Sequence, residues 1–311
     1  MNPTVAPLQS SNNGPRMYIE SSTFRLGRHV FSNEDSEWNE QRQLTGDPFI
    51  AFSETPIEAS FDGHWPAVLS RSNVATPAIG AGYTRIPRSS AGHRVSWIRT
   101  NSSLMSEIVC RHDPSSVDRP NAPFEHMTAP AVVRASALVD WLSRAAFQHK
   151  IAIDPMLFDE IALTVIDLTA QKAAEVAGRR SRKRGATPRK QREIANSICM
   201  EISTRYEEKL TIADLASSLD ISPAYLSRIF RLQTGQSIHQ YLVCTRLLNA
   251  LSMLPEYNGS LAALAARCGF SSHAHLTSTC TALLGRPPRQ LDRKNAIQNL
   301  MLLMCTASNA A

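Results

Sequence analysis

Thr211–Phe230 reads TIADLASSLDISPAYLSRIF, and Ser260–Cys280 reads SLAALAARCGFSSHAHLTSTC. With one residue inserted after Phe270, the second stretch repeats the first: Leu215 falls on Leu264, Ala216 on Ala265 and Leu226 on Leu276. Five residues past its end, each copy meets a glycine, Gly235 and Gly285. A short helix, a tight turn and a second helix make a helix-turn-helix. One such pattern alone also fits an αα-hairpin in an all-helical domain. Two, about fifty residues apart and joined by a single helix, point to DNA.

The first copy is punctuated as that plan requires. Thr211 is placed to cap a helix, with Asp214 three positions on in capping-box style. Leu215 and Ala216 face inward, and Asp220 sits at the turn, where a left-handed backbone is wanted. Ser222 is a second N-cap, followed by Pro223 at the first helical position. Leu226, Ile229 and Phe230 then share a core face at i, i+3, i+4 spacing. Ala224, Ser227, Arg228 and Arg231 are left for the outward face, which meets base edges in a recognition helix.

Charge divides the chain the same way. Arg179–Arg293 holds 17 Lys+Arg against 8 Asp+Glu, whereas the preceding 178 residues hold 15 against 19. A basic half beside an acidic half is the footprint of a nucleic-acid module joined to something else. Between them Gly178–Arg192, GRRSRKRGATPRKQR, carries eight positive charges and no negative one, which reads as a solvated linker. The expected organisation is a disordered tail at 1–17, a sensor and dimerisation domain at 18–177, the linker at 178–191, the DNA-binding domain at 192–293 and a C-terminal tail at 294–311. In that tail Ile297, Leu300, Met301 and Met304 fall on one helical face.

Residues from about 192 to 293 resemble the DNA-binding domain of the AraC/XylS family of bacterial transcription regulators. The resemblance rests on LTIADLASSLDISPAYLSRIFRLQTGQS, on Tyr241, Arg246 and Leu254 of the linking helix, and on LAALAARCGFSSHAHL and GRPPRQL. It implies seven helices, with two recognition helices entering successive major-groove segments about 34 Å apart on one DNA face. Carried over by position, the first offers Ala224, Ser227 and Arg228 to bases, and the second His273, Ala274, His275 and Ser278. The second copy departs from the family pattern. Cys280 stands where an aromatic is usual, Ser278 where a basic residue is common, and the closing Pro-x-x-Tyr-Arg reads Pro288, Arg289, Gln290, Leu291, Asp292. The first copy is therefore expected to carry most of the specificity.

Upstream, residues 18 to 110 show short apolar or alternating runs: Phe24–Phe31, Pro48–Ile57, Ala67–Val74, Val95–Thr100 and Met105–Cys110. Clusters of Gly, Pro, Asn and Ser separate them, the sign of short strands in a small barrel or sandwich. Trp38, Trp65, Tyr83, His93 and Trp97 are candidates to line a pocket, or plain core aromatics. Two helical patterns follow. One spans about 131–148, with Leu138, Trp141, Leu142 and Ala145 on one face; the other opens at Asp154 and Pro155 and repeats at Leu157, Phe158, Ile161, Val165 and Leu168. Such faces pack on their own domain or form a dimer interface. The resemblance implies an α+β chain: an N-terminal cupin-like β domain with dimerisation helices, then a C-terminal all-α domain with two helix-turn-helix motifs.

Other classes find little support. The start MNPTVAPLQSSNNGPR lacks the order of a signal peptide, and no stretch approaches a membrane span, so a cytoplasmic protein without membrane contact is expected. Six scattered cysteines include no CxxC pair. His273 and His275 lie i, i+2 on a helix and point apart, which disfavours a metal. Phosphate loop, GxSxG and HExxH are all missing from the sequence. The expectation is a non-enzyme without cofactor, a homodimeric regulator, more an activator than a repressor. Its partners would be promoter DNA, RNA polymerase and a small-molecule effector, with a protein partner covering the first domain as the alternative to the effector.

Overall fold

Burial alternates residue by residue along Ile57–Phe61, whereas residues 50–53 are buried on both faces. A computed structural model describes residues 6–7, 16–32, 38, 40–62, 66–88, 92–181, 189–291 and 295–305. His64, Trp65 and linker residues 182–188 lie outside the described residues, as do 1–5 and 8–15 of the expected tail.

The strands are β1 (Ala6–Pro7), β2 (Arg16–Glu20), β3 (Phe24–Phe31), β4 (Arg42–Gln43), β5 (Phe49–Ser53), β6 (Ile57–Phe61), β7 (Ala67–Leu69), β8 (Asn73–Ala75), β9 (Gly82–Pro87), β10 (His93–Thr100) and β11 (Thr128–Pro130). They form two antiparallel sheets, one ordered β1-β2-β3-β10-β5-β8-β11 and the other β4-β9-β6-β7. Two of these strands take up part of the expected tail, since Ala6 pairs with Tyr18 and Pro7 with Met17. Strand β10 has two working faces. Val95 and Trp97 join Phe31, Ile57, Phe61 and Leu69 in a core between the sheets. Ile98 faces the other way, into the helical core, and Ser96 accepts a hydrogen bond from Ser143.

The helices are α1 (Ser102–Cys110), α2 (Val133–Ser143), α3 (Pro155–Ser181), α4 (Arg189–Arg205), α5 (Ile212–Ser217), α6 (Pro223–Thr234), α7 (Ile238–Met253), α8 (Leu261–Arg267), α9 (His273–Leu284) and α10 (Ala296–Met304). The strand expected at Met105–Cys110 is helix α1. Asn101 accepts from the Leu104 amide at 2.9 Å, and Met105, Ile108 and Val109 bury one helical face. A short apolar run suits either period, and here the cap decides. Asp154 caps α3 as expected, accepting from the Leu157 amide at 3.0 Å. Helix α3 runs on to Ser181 and α4 begins at Arg189, so helix enters the expected linker from both ends.

Helix α2 is the hub of the molecule. Leu138, Trp141 and Leu142 are buried within the chain, and α2 touches α3, α7, α9 and α10. That places its apolar face between the two halves instead of against a second copy. The turn from β7 to β8 grips α7: Ser70 Oγ lies 2.7 Å from the Tyr241 hydroxyl, and Ser72 Oγ donates to the Tyr241 carbonyl at 3.2 Å. Arg144 adds bonds to the Ser252 carbonyl at 2.7 Å and to Glu256 at 3.1 Å.

One buried titratable group sets a pH limit. His93 is 3% exposed between Phe31 and Ser53. Burial, helped by Arg85 and His29, pushes its pKa down to about 3, so it is neutral in the folded state. The unfolded chain takes up a proton near pH 6.5 that the native state refuses, so the contribution of His93 to stability is lost as pH falls below that value. Between pH 6.5 and 5 the protein should lose about 2 kcal/mol from this group. Urea unfolding at the two pH values, compared with His93→Gln, measures it; an unchanged difference in the variant would refute the assignment.

Candidate nucleic-acid interface

Both motifs fold as their caps dictate. Thr211 Oγ1 accepts from the Asp214 amide at 3.1 Å and Ser222 Oγ from that of Tyr225 at 3.3 Å. Ser260 and Ser272 do the same in the second copy, each at 3.1 Å. Asp220 takes the left-handed backbone, with φ at 52°, and Gly235 and Gly285 end their helices at 77° and 72°. Leu226, Ile229 and Phe230 are buried, with the Phe230 ring edge-on to Tyr241 at 5.5 Å. A capping box starts α7, where Ser237 Oγ accepts from the Gln240 amide at 3.1 Å and the Gln240 side chain accepts from the Ser237 amide at 2.9 Å.

The buried stripe leaves one face of α6 outward. Ala224, Arg228 and Arg231 are exposed and Ser227 is half-buried. Arg228 lies with its guanidinium carbon 5.4 Å from the Tyr225 ring centroid. Stacking on an aromatic limits the conformations of a long side chain and presents its fork of donors outward. Tyr225 was passed over in the sequence; an aromatic three residues before an arginine on a helix was the signal.

The second recognition helix, α9, carries a different set. His273, Ala274 and Ser278 are exposed and His275 is half-buried. Their polar atoms already have neighbours. His275 Nδ1 sits 3.1 Å from Ser271 Oγ, with its ring edge-on to Phe270 at 5.2 Å. His273 Nε2 lies 3.3 Å from Thr277 Oγ1, and the Ser278 hydroxyl donates back to the His275 carbonyl at 3.1 Å. A hydroxyl bonded into its own helix has less to offer a base. Behind this face Cys280 is fully buried, and burial pushes its thiol up to about 12. It belongs to the large core that also includes Leu284, Leu291, Leu300 and Leu303.

A carbonyl cluster ties the two motifs together. Arg246 of α7 donates to the carbonyls of Tyr206 at 2.7 Å and Glu208 at 2.8 Å, just past the end of α4. Gly269, in the turn of the second motif, packs on the Tyr206 and Glu207 carbonyls. Among the described residues no group of three His, Cys, Asp or Glu could hold a metal ion, and no helix is long and apolar enough to cross a membrane.

Two outward-facing helices, each locked from behind and bridged by one buried helix, define a double helix-turn-helix domain of the DNA-binding kind. A family described as a helix-turn-helix domain matches residues 215–294. An uncharacterized HTH-type transcriptional regulator YobQ of Bacillus subtilis is 39% identical over 82 residues, 26% of this chain and 34% of that protein. A putative AraC-like transcription regulator of Streptomyces lividans is 35% identical over 78 residues, 25% of this chain and 26% of that one. The chain thus spans about a third or less of these relatives' own length. The solved structure of ToxT from Vibrio cholerae O395 aligns over 92% of this chain and 100% of its own, at 10% identity and a TM-score of 0.32. The C-terminal domain of this chain is thus similar to the helix-turn-helix domains of AraC-like transcription regulators.

Proposed function

We propose that the protein is a transcription activator that reads promoter DNA chiefly through α6 and answers to a small organic effector held by a cupin-like N-terminal domain. The observation that carries the DNA reading is the outward set Ala224, Ser227, Arg228 and Arg231 on a helix whose opposite face is locked in a core. His273, Ala274, His275 and Ser278 of α9 add backbone and weaker base contacts. Support for the effector comes from the space between the sheets. There His29, Arg85 and His93 pack among Phe31, Trp38 and Trp97, a core of polar and aromatic side chains rather than a purely aliphatic one.

Pairing of two copies fits the outer side of α3, where Met156 is 72% exposed and Leu163 36%. Two copies would occupy two half-sites and contact RNA polymerase from the promoter. Effector binding would then act by shifting the relation of the sheets to α7, through the β7–β8 turn.

The test combines two measurements on the full chain. Genome-wide binding-site sequencing should return a recurring sequence, and that sequence should compete off labelled DNA at fixed salt far better than a scrambled one. A thermal-shift screen of small organic molecules should then find one that raises the melting temperature, as a ligand of the folded state must. Equal competition by scrambled DNA would sink the DNA reading. A failed screen, with specific DNA binding intact, would remove only the effector.

A further inference from the structure

The interior of the chain does not divide where the charge does. Leu264, Ala265, Cys268, Leu276, Cys280 and Leu284 of the second motif share one hydrophobic core with Leu138, Trp141 and Leu142 of α2. The first motif has a separate core, built from α4, α5, α6 and the start of α7, to which the sheets lend Val68, a hydrogen bond between Ser70 and Tyr241, and the Pro66 carbonyl, which accepts from Asn196. Helix α7 runs from one core into the other: Ile238, Tyr241 and Leu242 belong to the first, and Leu247, Leu248 and Leu251 to the second.

Helix α10 lies on the seam of the larger core. Asn295 caps its start, accepting from the Gln298 amide at 2.9 Å. Ala296, Asn299, Leu300 and Leu303 are buried, and the helix packs along α2. This corrects the face read from the sequence by about one position, since Met301 is 53% exposed. The last carbonyls of a helix lack partners within it and carry the negative end of its dipole. Here two arginines from different halves take them. Arg134 of α2 donates to the Leu303 carbonyl at 2.8 Å and to that of Met304 at 3.0 Å. Arg286, directly after α9, donates to the Leu302 carbonyl at 3.2 Å.

We propose that α10 is a clasp that fastens the second helix-turn-helix to the sensor helix α2, so that this motif and α2 move as one body. One short helix bonded at the same end by Arg134 and Arg286 joins what the sequence keeps some 150 residues apart. The small Cys280 fits the same picture, because a motif backed by α2 has less core to supply from its own recognition helix. The second motif then follows the sensor helix directly, whereas a signal in the sheets meets the first motif through the β7–β8 turn and α7.

Hydrogen–deuterium exchange on the full chain tests this. In the double variant Arg134→Ala, Arg286→Ala, amides of α9 and α10 should exchange about tenfold faster, while those of α6 stay within about twofold of the parent. Should the double variant fail to fold, Leu300→Ala weakens the same seam and the same comparison applies. Unchanged exchange in α9, or equal loosening of α6 and α9, overturns the proposal.

Discussion

Arg228→Ala should lower affinity for the specific DNA site by about 10- to 100-fold, about 1–3 kcal/mol, and relax preference at one base position. The side chain is exposed on α6, stacked on Tyr225, and flanked by a core face that alanine leaves untouched. The loss therefore falls on recognition and not on folding. Ser278→Ala, at the corresponding place in α9, should cost well under 1 kcal/mol, because its hydroxyl is spent on the His275 carbonyl. Fluorescence anisotropy at fixed salt, with base variants of the site, measures both. A phosphate contact would weaken all sequences alike. A uniform loss for Arg228→Ala, or equal losses for the two variants, would place the reading head elsewhere.

The second large effect is on stability. Gly269→Ala should destabilise the protein by about 3–5 kcal/mol, combining left-handed strain with a collision against backbone. The backbone there has φ of 76°, and an added Cβ would lie 2.7 Å from the Tyr206 carbonyl oxygen and 2.8 Å from that of Glu207. Neither can move cheaply, because Arg246 holds the Tyr206 carbonyl and, next to it, that of Glu208. Gly178→Ala is the matched control. It sits exposed in α3 with open space around it, and alanine there should stabilise the helix by about 0.5–1 kcal/mol. Denaturant melts of the two variants should move in opposite directions.

Much of the DNA-binding half was legible because its signals are local. Caps at Thr211 and Ser222, the turn at Asp220 and the stripe Leu226, Ile229 and Phe230 each act within a few residues, and all are in place. The N-terminal half was legible only in outline. Ile57, Ala59 and Phe61 alternate cleanly and form β6, yet the run ending at Ile57 stopped short of Ala59 and Phe61. Met105–Cys110 went to the wrong period because six residues satisfy both. What the sequence could not disclose was partnership over distance. An apolar stripe on α2 looks the same whether it meets a second copy or, as here, α7, α9 and α10. Arg134 and Arg286 likewise read as ordinary surface charges until α10 puts three carbonyls between them.

The shared core of α2 and α10 also bears on how the chain is made. Arg134 and its carbonyl partner on Leu303 are separated by 169 residues. At a synthesis rate of about 5–20 residues per second, α2 emerges roughly ten to thirty seconds before the helix that covers it. During that interval Trp141, Leu142 and their neighbours lack much of their eventual cover, and the sheets behind them are complete but open on one side. A chain that stops before α10 is therefore expected to expose part of the apolar face of α2. Full burial of the α2 face thus waits on α10, a helix made long after it.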